Sequence, residues 1–338
     1  MTVVINDKTL QMIRKACKSK KNLKLTVGYV RGAESGICVI NEHGEMEADR
    51  EYRYEIGSIT KTFTTSLLAK YVSENRMSLT DSIHKYVEGL TEEKYYPTLF
   101  RLATHTSGYS GSLPFNKREN LKLLLGLISG GGDMKKRNPF NVDIDKMKAL
   151  IERHPLKNKD YAWEYSNFGL ALIGYALGAA SGRGYWSAMN DFVQHELELT
   201  HTWLGNEKAN LHGYDSKNNV CDHWQWGPNE IITPAGGLSS TAGDLLNYAT
   251  RVMGNDQPYL ATCTLKHANG KGKRYDMGLG WWLLRNNNNI FWHGGGTGCF
   301  STFLGGNREK KTAAVVLANY RMGFDADQKI GFSLLESL

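Results

Sequence analysis

No run of 18 apolar residues occurs in the 338-residue chain, and mean hydropathy is −0.43, so no membrane-spanning helix is expected. Residues 1–27 contain no apolar segment followed by a small-residue cleavage site, which gives the expectation of a cytoplasmic protein. Cysteine is scarce and odd in number, with five residues (Cys17, Cys38, Cys221, Cys263, Cys299) and no C-x-x-C pair. At least one is unpaired within a single chain, and the set suits a reducing compartment better than a disulfide framework. No G-x-G-x-x-G occurs, and Gly130-Gly131-Gly132 lacks the G-K-[ST] ending of a phosphate loop, so nucleotide binding has no support. His195, Glu196 and His201 do not form the H-E-x-x-H pair of a zinc hydrolase.

What is present is globular in character. Apolar residues make up 41% and charged residues 22%, and the length suits two structural units or one domain with two lobes. Lys+Arg 41 against Asp+Glu 34 gives a net charge of +7 and a pI of about 9.0. The basic clusters are scattered, at Lys18/Lys20/Lys21, Lys135/Lys136/Arg137, Lys271/Lys273/Arg274 and Arg308/Lys310/Lys311. No nucleic-acid-reading motif accompanies them, so no nucleic-acid partner is expected. A mild attraction for anionic substrates remains.

Hydrophobic periodicity places strands at both ends of the chain and helices between them. Thr9 to Cys17 reads as a helix, Leu25/Val27/Tyr29 as a strand, and Ile37 to Ile40 as a strand after a turn at Ser35-Gly36. Tyr52, Tyr54 and Ile56 alternate, and Phe63, Leu67, Leu68, Tyr71 and Val72 then recur at helical spacing. Further helices are predicted over Leu121 to Ile128, Asp143 to Arg153, Phe168 to Ala180, Trp186 to Leu197 and Thr241 to Met253. Strand patterns return at Gly280 to Leu284, Ile290 to His293, Phe300 to Leu304 and Thr312 to Ala318, with a last helix over Asp327 to Leu338 and a loop at Asn286 to Asn289. The expected class is α+β: one antiparallel sheet flanked by terminal helices, with an all-helical lobe inserted. The expected division is a single domain over 1–338, with an α/β lobe from 1–60 and 235–338 and a helical lobe from 61–234. The seam between lobes is a common place for a pocket.

Three short patterns carry chemistry. In Glu55-Ile-Gly-Ser58-Ile-Thr-Lys61, Ser58 stands where the strand pattern gives way to the helical one, and Lys61 is one turn on, within reach of its hydroxyl. A serine hydroxyl needs a base, and a buried lysine with a lowered pKa can be one. A helix N-terminus also offers N–H groups to a developing oxyanion. The second S-x-x-K, Ser82-Ile-His-Lys85, lacks that strand-to-helix context. Tyr165-Ser166-Asn167 opens a helix; a phenol beside a lysine can pass protons, and an Asn amide can hold an acyl group. His293-Gly294-Gly295-Gly296 follows a strand pattern, and its glycines would let a substrate approach the backbone closely.

In this order and context the patterns resemble the serine β-lactamase and penicillin-binding protein family, in the form of the class C β-lactamase branch with its D-amino-acid peptidase and esterase relatives. The resemblance extends over nearly the whole chain and includes Leu102 to Gly108 and Gly236 to Leu245. It implies a β-lactamase/transpeptidase-like fold. It also implies roles: Ser58 as acylated nucleophile, Lys61 as its base, Tyr165 as the proton donor to the leaving group, Asn167 on the acyl side, and N–H groups of Ser58 and Gly296 as the oxyanion hole. No metal or organic cofactor is implied. The third motif departs from the β-lactamase pattern, with His293 where Lys is usual and Gly294 where Thr or Ser is usual. A weaker hold on a substrate carboxylate is therefore expected, which shifts the expected activity from β-lactam hydrolysis toward peptidase, amidase or esterase; the substrate is a small molecule or short peptide, from the set of β-lactams, D-amino-acid peptides and carboxylic esters. The His293 charge is expected to change near pH 6–7. The competing reading is a catalytically silent protein that keeps the fold as a binding scaffold; loss of Ser, Lys or Tyr would mark it, and none is lost.

Other residues read as structural. His105, in Thr-His-Thr-Ser-Gly, reads as a loop organiser, and Asp222-His223 with Trp224 and Trp226 as pocket wall. Trp281 and Trp282 suit either cleft or core, and Cys299 invites thiol sensitivity. The sequence fixes no oligomeric state.

Overall fold

A computed structural model describes residues 5–48, 50–111, 113–121, 138, 140 and 142–338. The helix expected over Leu121 to Ile128 lies outside the described residues beyond Leu121, as do Gly130 to Gly132 and Lys135 to Arg137.

Helix α1 (Asp7–Cys17) begins at Asn6, whose side-chain oxygen accepts from the Thr9 N–H at 2.8 Å. It leads to β1 (Lys24–Arg31), β2 (Glu34–Asn41) and β3 (Met46–Ala48). The β1–β2 hairpin turns at Gly32 (φ 58°), and Ser35 and Gly36 pair with Val30 and Tyr29 inside the ladder. The turn expected at Ser35-Gly36 is thus corrected: a two-residue hairpin needs positive φ, which Gly32 supplies. Next come β4 (Tyr54–Glu55), a 3-10 turn at Gly57–Ile59 and α2 (Thr60–Ser73). The helices α3 (Leu99–Ala103), α4 (Ile144–Arg153), α5 (Asn167–Ser181) and α6 (Gly184–Asp191) follow, with a π turn at Phe192–Glu196. Short strands β5 (Trp203–Leu204), β6 (Gly213–Tyr214), β7 (Val220–Cys221) and β8 (Leu238–Ser240) lead to α7 (Ala242–Met253) and α8 (Pro258–Cys263). The chain then returns to the sheet as β9 (Ala268–Asn269), β10 (Tyr275–Met277), β11 (Trp282–Leu284), β12 (Asn287–Gly296), β13 (Ser301–Asn307) and β14 (Thr312–Ala318), and ends in α9 (Ala326–Glu336).

Among the described residues the main sheet has nine strands in the order β3-β2-β1-β14-β13-β12-β11-β10-β9, every neighbouring pair antiparallel. Its centre is buried on both faces. Along β14, Ala314, Val316 and Ala318 pack on one side with Ile13 of α1 and Leu334 of α9, while Ala313, Val315 and Leu317 pack on the other with Leu245 and Ala249 of α7. This period-two partition is what the apolar run Thr312–Ala318 requires of a central strand. Helix α2 is buried on nearly all sides, so its hydroxyls need partners. Thr64 Oγ1 donates to Pro234 O at 2.7 Å and Thr65 Oγ1 to Leu279 O at 2.8 Å, which ties α2 to two segments far away in sequence.

Two further expectations are corrected. Asn287 to Asn289 open β12 rather than forming a loop, because Leu284 pairs with Asn287 across a tight hairpin. Cys221 and Cys299 form a disulfide across a Cα–Cα distance of 6.2 Å, while Cys17, Cys38 and Cys263 are buried thiols. The pairing corrects the expectation of a sensitive thiol at Cys299. No helix among the described residues is long and apolar enough to cross a membrane.

Candidate active site

The nucleophile candidate stands at the end of β4. The Ile56 N–H donates to Leu238 O at 3.0 Å, Gly57 turns the chain with φ 50°, and Ser58 enters the 3-10 turn that precedes α2. Lys61 lies in the first turn of α2 and is fully buried. Its Nζ is 2.9 Å from Ser58 Oγ and 2.7 Å from the Ala235 carbonyl oxygen, and 5.0 Å from the centre of the Tyr165 ring. Burial, with no carboxylate partner, holds the amine well below its ordinary pKa. Nζ donates to Ala235 O and lies within hydrogen-bond distance of the Ser58 hydroxyl.

Tyr165 and Asn167 come from the start of α5. Ser166 caps that helix, its Oγ accepting from the Gly169 N–H at 2.9 Å. His105, at φ 59°, organises the segment from behind: its carbonyl accepts from the Glu164 N–H at 2.9 Å and its Nδ1 from the Ser166 N–H at 3.1 Å. Burial lowers the His105 pKa well below the usual value, with the Lys61 and His293 charges adding, so the ring is neutral and able to accept. Gly111 clamps the other side, its N–H donating to Tyr165 O at 2.9 Å and its carbonyl accepting from the Asn167 N–H at 3.0 Å. Burial pushes the Tyr165 phenol well above its ordinary pKa, and a hydrogen bond with Ser58 offsets part of the rise. The phenol is therefore a protonated donor at neutral pH. Trp282 stacks on it at 6.4 Å between ring centres, so Trp282 belongs to the site while Trp281 is core.

The third motif lies within β12 itself. Gly294, Gly295 and Gly296 pair with Phe303, Thr302 and Ser301. A Cβ on Gly295 would overlap the Ile56 carbonyl oxygen and Thr302 Oγ1, and those two atoms hydrogen-bond each other at 3.0 Å across the vacant position. The strand thereby packs directly on the turn that carries Ser58. His293 is 2% exposed, with Nδ1 2.6 Å from Gly294 O. Burial, the Lys61 charge and a smaller opposing effect of that hydrogen bond put its pKa at about 3. The charge change expected near pH 6–7 is thus corrected: the ring stays neutral throughout that range.

The opposite wall includes Trp224 and Trp226, as the sequence suggested, but its anchor was not legible there. A cavity of about 70 Å³ is lined by Ser58, Asn167, Gly296, Phe140, Trp224 and Trp226, among others. Trp224 is held by Glu55, the residue before Ile56-Gly57-Ser58. Glu55 Oε1 accepts from the Trp224 N–H at 3.0 Å, from Asn206 Nδ2 at 3.2 Å and from His223 Nδ1 at 2.8 Å. His223 Nε2 bonds Leu211 O at 2.9 Å and its ring stacks on Phe300, while the Cys221–Cys299 disulfide ties the same wall to the loop after Gly296. Burial alone would lower the His223 pKa, but the Glu55 hydrogen bond and charge more than offset it, and the net shift is upward. A raised histidine pKa stabilises the fold below the ordinary value of 6.5, and that contribution is lost as pH rises through the raised value. Glu55→Gln is accordingly expected to destabilise the protein by about 1–3 kcal/mol at about pH 6 and by less at about pH 8, read as urea midpoints at both pH values.

The remaining candidates lie elsewhere. Ser82 caps the turn Ile83–Lys85, and Lys85 Nζ pairs with Asp81 at 3.0 Å, so the second S-x-x-K brings no lysine amine to its serine hydroxyl among the described residues. His195 is exposed beside Asp191, and no cluster of three metal-ligating side chains occurs among the described residues.

The Beta-lactamase family model matches residues 34–334, and the chain belongs to the β-lactamase family. A β-lactamase of Providencia stuartii is 27% identical over 202 residues, covering 58% of this chain and 45% of its own length. The chain spans about half the length of several curated relatives it matches. Among solved structures, a class C β-lactamase from Rhodobacter sphaeroides has a TM-score of 0.77 at 17% identity, covering 98% of this chain and 99% of that one. A D-stereospecific amidohydrolase from Streptomyces sp. has a TM-score of 0.76 at 20% identity, covering 99% and 100%. The fold is thus β-lactamase/transpeptidase-like.

Proposed function

We propose that the chain is a serine hydrolase that cleaves an amide or ester through a Ser58 acyl-enzyme, on a β-lactam, a D-amino-acid peptide or a carboxylic ester. The observation that carries this reading is a buried, unpaired-by-acid lysine amine 2.9 Å from a serine hydroxyl at the edge of a cavity. Ser58 Oγ attacks the substrate carbonyl while its proton passes to Lys61 Nζ. The carbonyl oxygen takes up negative charge against the N–H groups of Ser58 and Gly296. Collapse breaks the bond to the leaving nitrogen or oxygen, which receives a proton through the Tyr165 hydroxyl, replenished from Lys61. Water then attacks the acyl-enzyme by the same proton path in reverse, releasing the acid and the free Ser58 hydroxyl. Asn167 and the Trp224 wall hold the acyl portion.

The test is intact-protein mass after brief exposure to a penicillin, a D-alanyl dipeptide ester and a p-nitrophenyl ester, beside steady-state hydrolysis of each, with Ser58→Ala as control. An adduct or turnover that disappears in Ser58→Ala is expected, and the reagent that works ranks the substrates. A folded protein inert to all three supports the scaffold reading instead.

A further inference from the structure

A cavity of about 600 Å³ lies between the terminal helices, on the face of the main sheet opposite α7, and shares no lining residue with the cavity at Ser58. Helices α1 and α9 run antiparallel there. Thr9 Oγ1 and Ser333 Oγ are 2.8 Å apart and Lys8 pairs with Glu336 at 3.8 Å, so the start of α1 lies beside the end of α9. The cavity forms at the other end of the pair. Met12, Ala16, Met322, Ala326 and Ile330 give it an apolar floor, and the two alanines leave room between the helices. The volume falls within the ~300–1,000 Å³ of small-molecule sites.

Three cations line this floor, at Lys15, Lys20 and Lys329, and no acid does. Lys15 and Lys329 are exposed and make no hydrogen bond or ion pair among the described residues. Lys20 is half-buried, donates to the Ala16 carbonyl oxygen and has no acid partner among the described residues. Burial lowers its pKa, and the Cys17 thiol offsets only part of that. The neighbouring acid on α9, Asp327, is engaged by the N–H groups of residues 327 and 328. An anion among these lysines would relieve the desolvation of Lys20, while the lysine stems extend the apolar floor. Methionine adapts to an alkyl chain of no fixed shape. The exposed large apolar side chains (Met46, Leu121, Ile144, Val220, Leu265) all lie outside this lining, so none of them would carry it into a bilayer. A concave apolar floor with a cationic rim fits a single amphipathic anion better than a membrane surface.

We propose that the groove between α1 and α9 binds one single-chain alkyl carboxylate, its chain over Met12, Met322 and Ile330 and its carboxylate among Lys15, Lys20 and Lys329. This site is separate from Ser58 and adds a ligand to the protein beyond its substrate.

The test is calorimetric titration with octanoate, decanoate and decyltrimethylammonium, each below its micelle concentration. One decanoate per chain is expected, bound about 10-fold more tightly than octanoate, since each of the two added methylenes contributes about three- to fourfold. No saturable binding of the cation is expected. Lys15→Glu combined with Lys329→Glu should weaken decanoate at least about 10-fold. Ala326→Phe, which puts a ring into the groove, should remove binding, and a urea midpoint shows that each variant is folded. Equal binding of the cation, several decanoates per chain, or decanoate binding unchanged by the charge reversal overturns the proposal. So does retention on phosphatidylglycerol vesicles without stoichiometric decanoate binding, which would make the groove a membrane-facing surface. Binding is read without turnover, so a protein inert to every ester would overturn the hydrolase reading and leave this result standing.

Discussion

Replacing Lys61 by Met is expected to lower kcat/KM by about 1,000-fold or more while the protein stays folded. The side chain is fully buried in the first turn of α2; among the described residues its nitrogen has no carboxylate partner and hydrogen-bonds only the Ala235 carbonyl and the Ser58 hydroxyl. Methionine fills similar volume without the desolvation cost of an ammonium, so stability should hold or rise. The catalytic loss follows from Ser58 alone: without a neighbouring lone pair its hydroxyl proton has nowhere to go, because Tyr165 is itself a protonated donor and the His105 and His293 rings face other atoms. The same reasoning fixes the pH profile. A base works when deprotonated, so activity should rise with pH through the lowered amine pKa and level off well below the ordinary lysine value of 10.5. A profile that climbs through the ordinary value would mean an amine still charged at neutral pH, and unchanged turnover in Lys61→Met would remove it from the mechanism.

The parts of the site that were legible in the sequence are local ones. Ser58 and Lys61 are three residues apart at a change of periodicity, Tyr165 to Asn167 open a helix, and the glycines follow an apolar strand; one turn or one strand end sets each of these. The apolar runs at Lys24–Arg31 and Thr312–Ala318 likewise announced strands, though not that they are neighbours in the sheet. What stayed hidden depends on pairing between distant segments. Glu55 looked like a strand residue, and only the approach of residues 206, 223 and 224 makes it the anchor of the tryptophan wall. A carboxylate buried beside a nucleophile was the available signal. Cys221 and Cys299 gave no spacing pattern because their pairing is set by β7 meeting the loop after β12. His293 misled for the opposite reason: its type suggests titration near neutrality, and burial in the folded site removes it.

Gly57→Ala is expected to reduce kcat about 100-fold although position 57 contributes no functional group. The residue sits at φ 50°, a conformation that costs a non-glycine residue about 1 kcal/mol. The larger effect is steric: a Cβ there would lie 2.5 Å from the nitrogen, 2.8 Å from the oxygen and 2.9 Å from the carbon of Gly296. All three are backbone atoms, so no rotamer relieves the contact. Gly296 is also held by its pairing with Ser301, and the neighbouring ladder is pinned by the Thr302–Ile56 hydrogen bond at 3.0 Å. The strand end and the Ser58 turn must therefore separate, which moves the Gly296 N–H away from the oxyanion it is proposed to stabilise. Ser58 and Lys61 keep their contact, since both lie on the α2 side of the turn. The variant should thus still form an acyl-enzyme, but slowly, with the loss in the rate of acylation rather than in its extent. Time-resolved intact mass measures that rate, and a urea midpoint checks that the loss in stability stays within about 1–3 kcal/mol. A folded Gly57→Ala protein that acylates at the normal rate would show that the contact between Gly57 and Gly296 is only packing and that the oxyanion is held elsewhere.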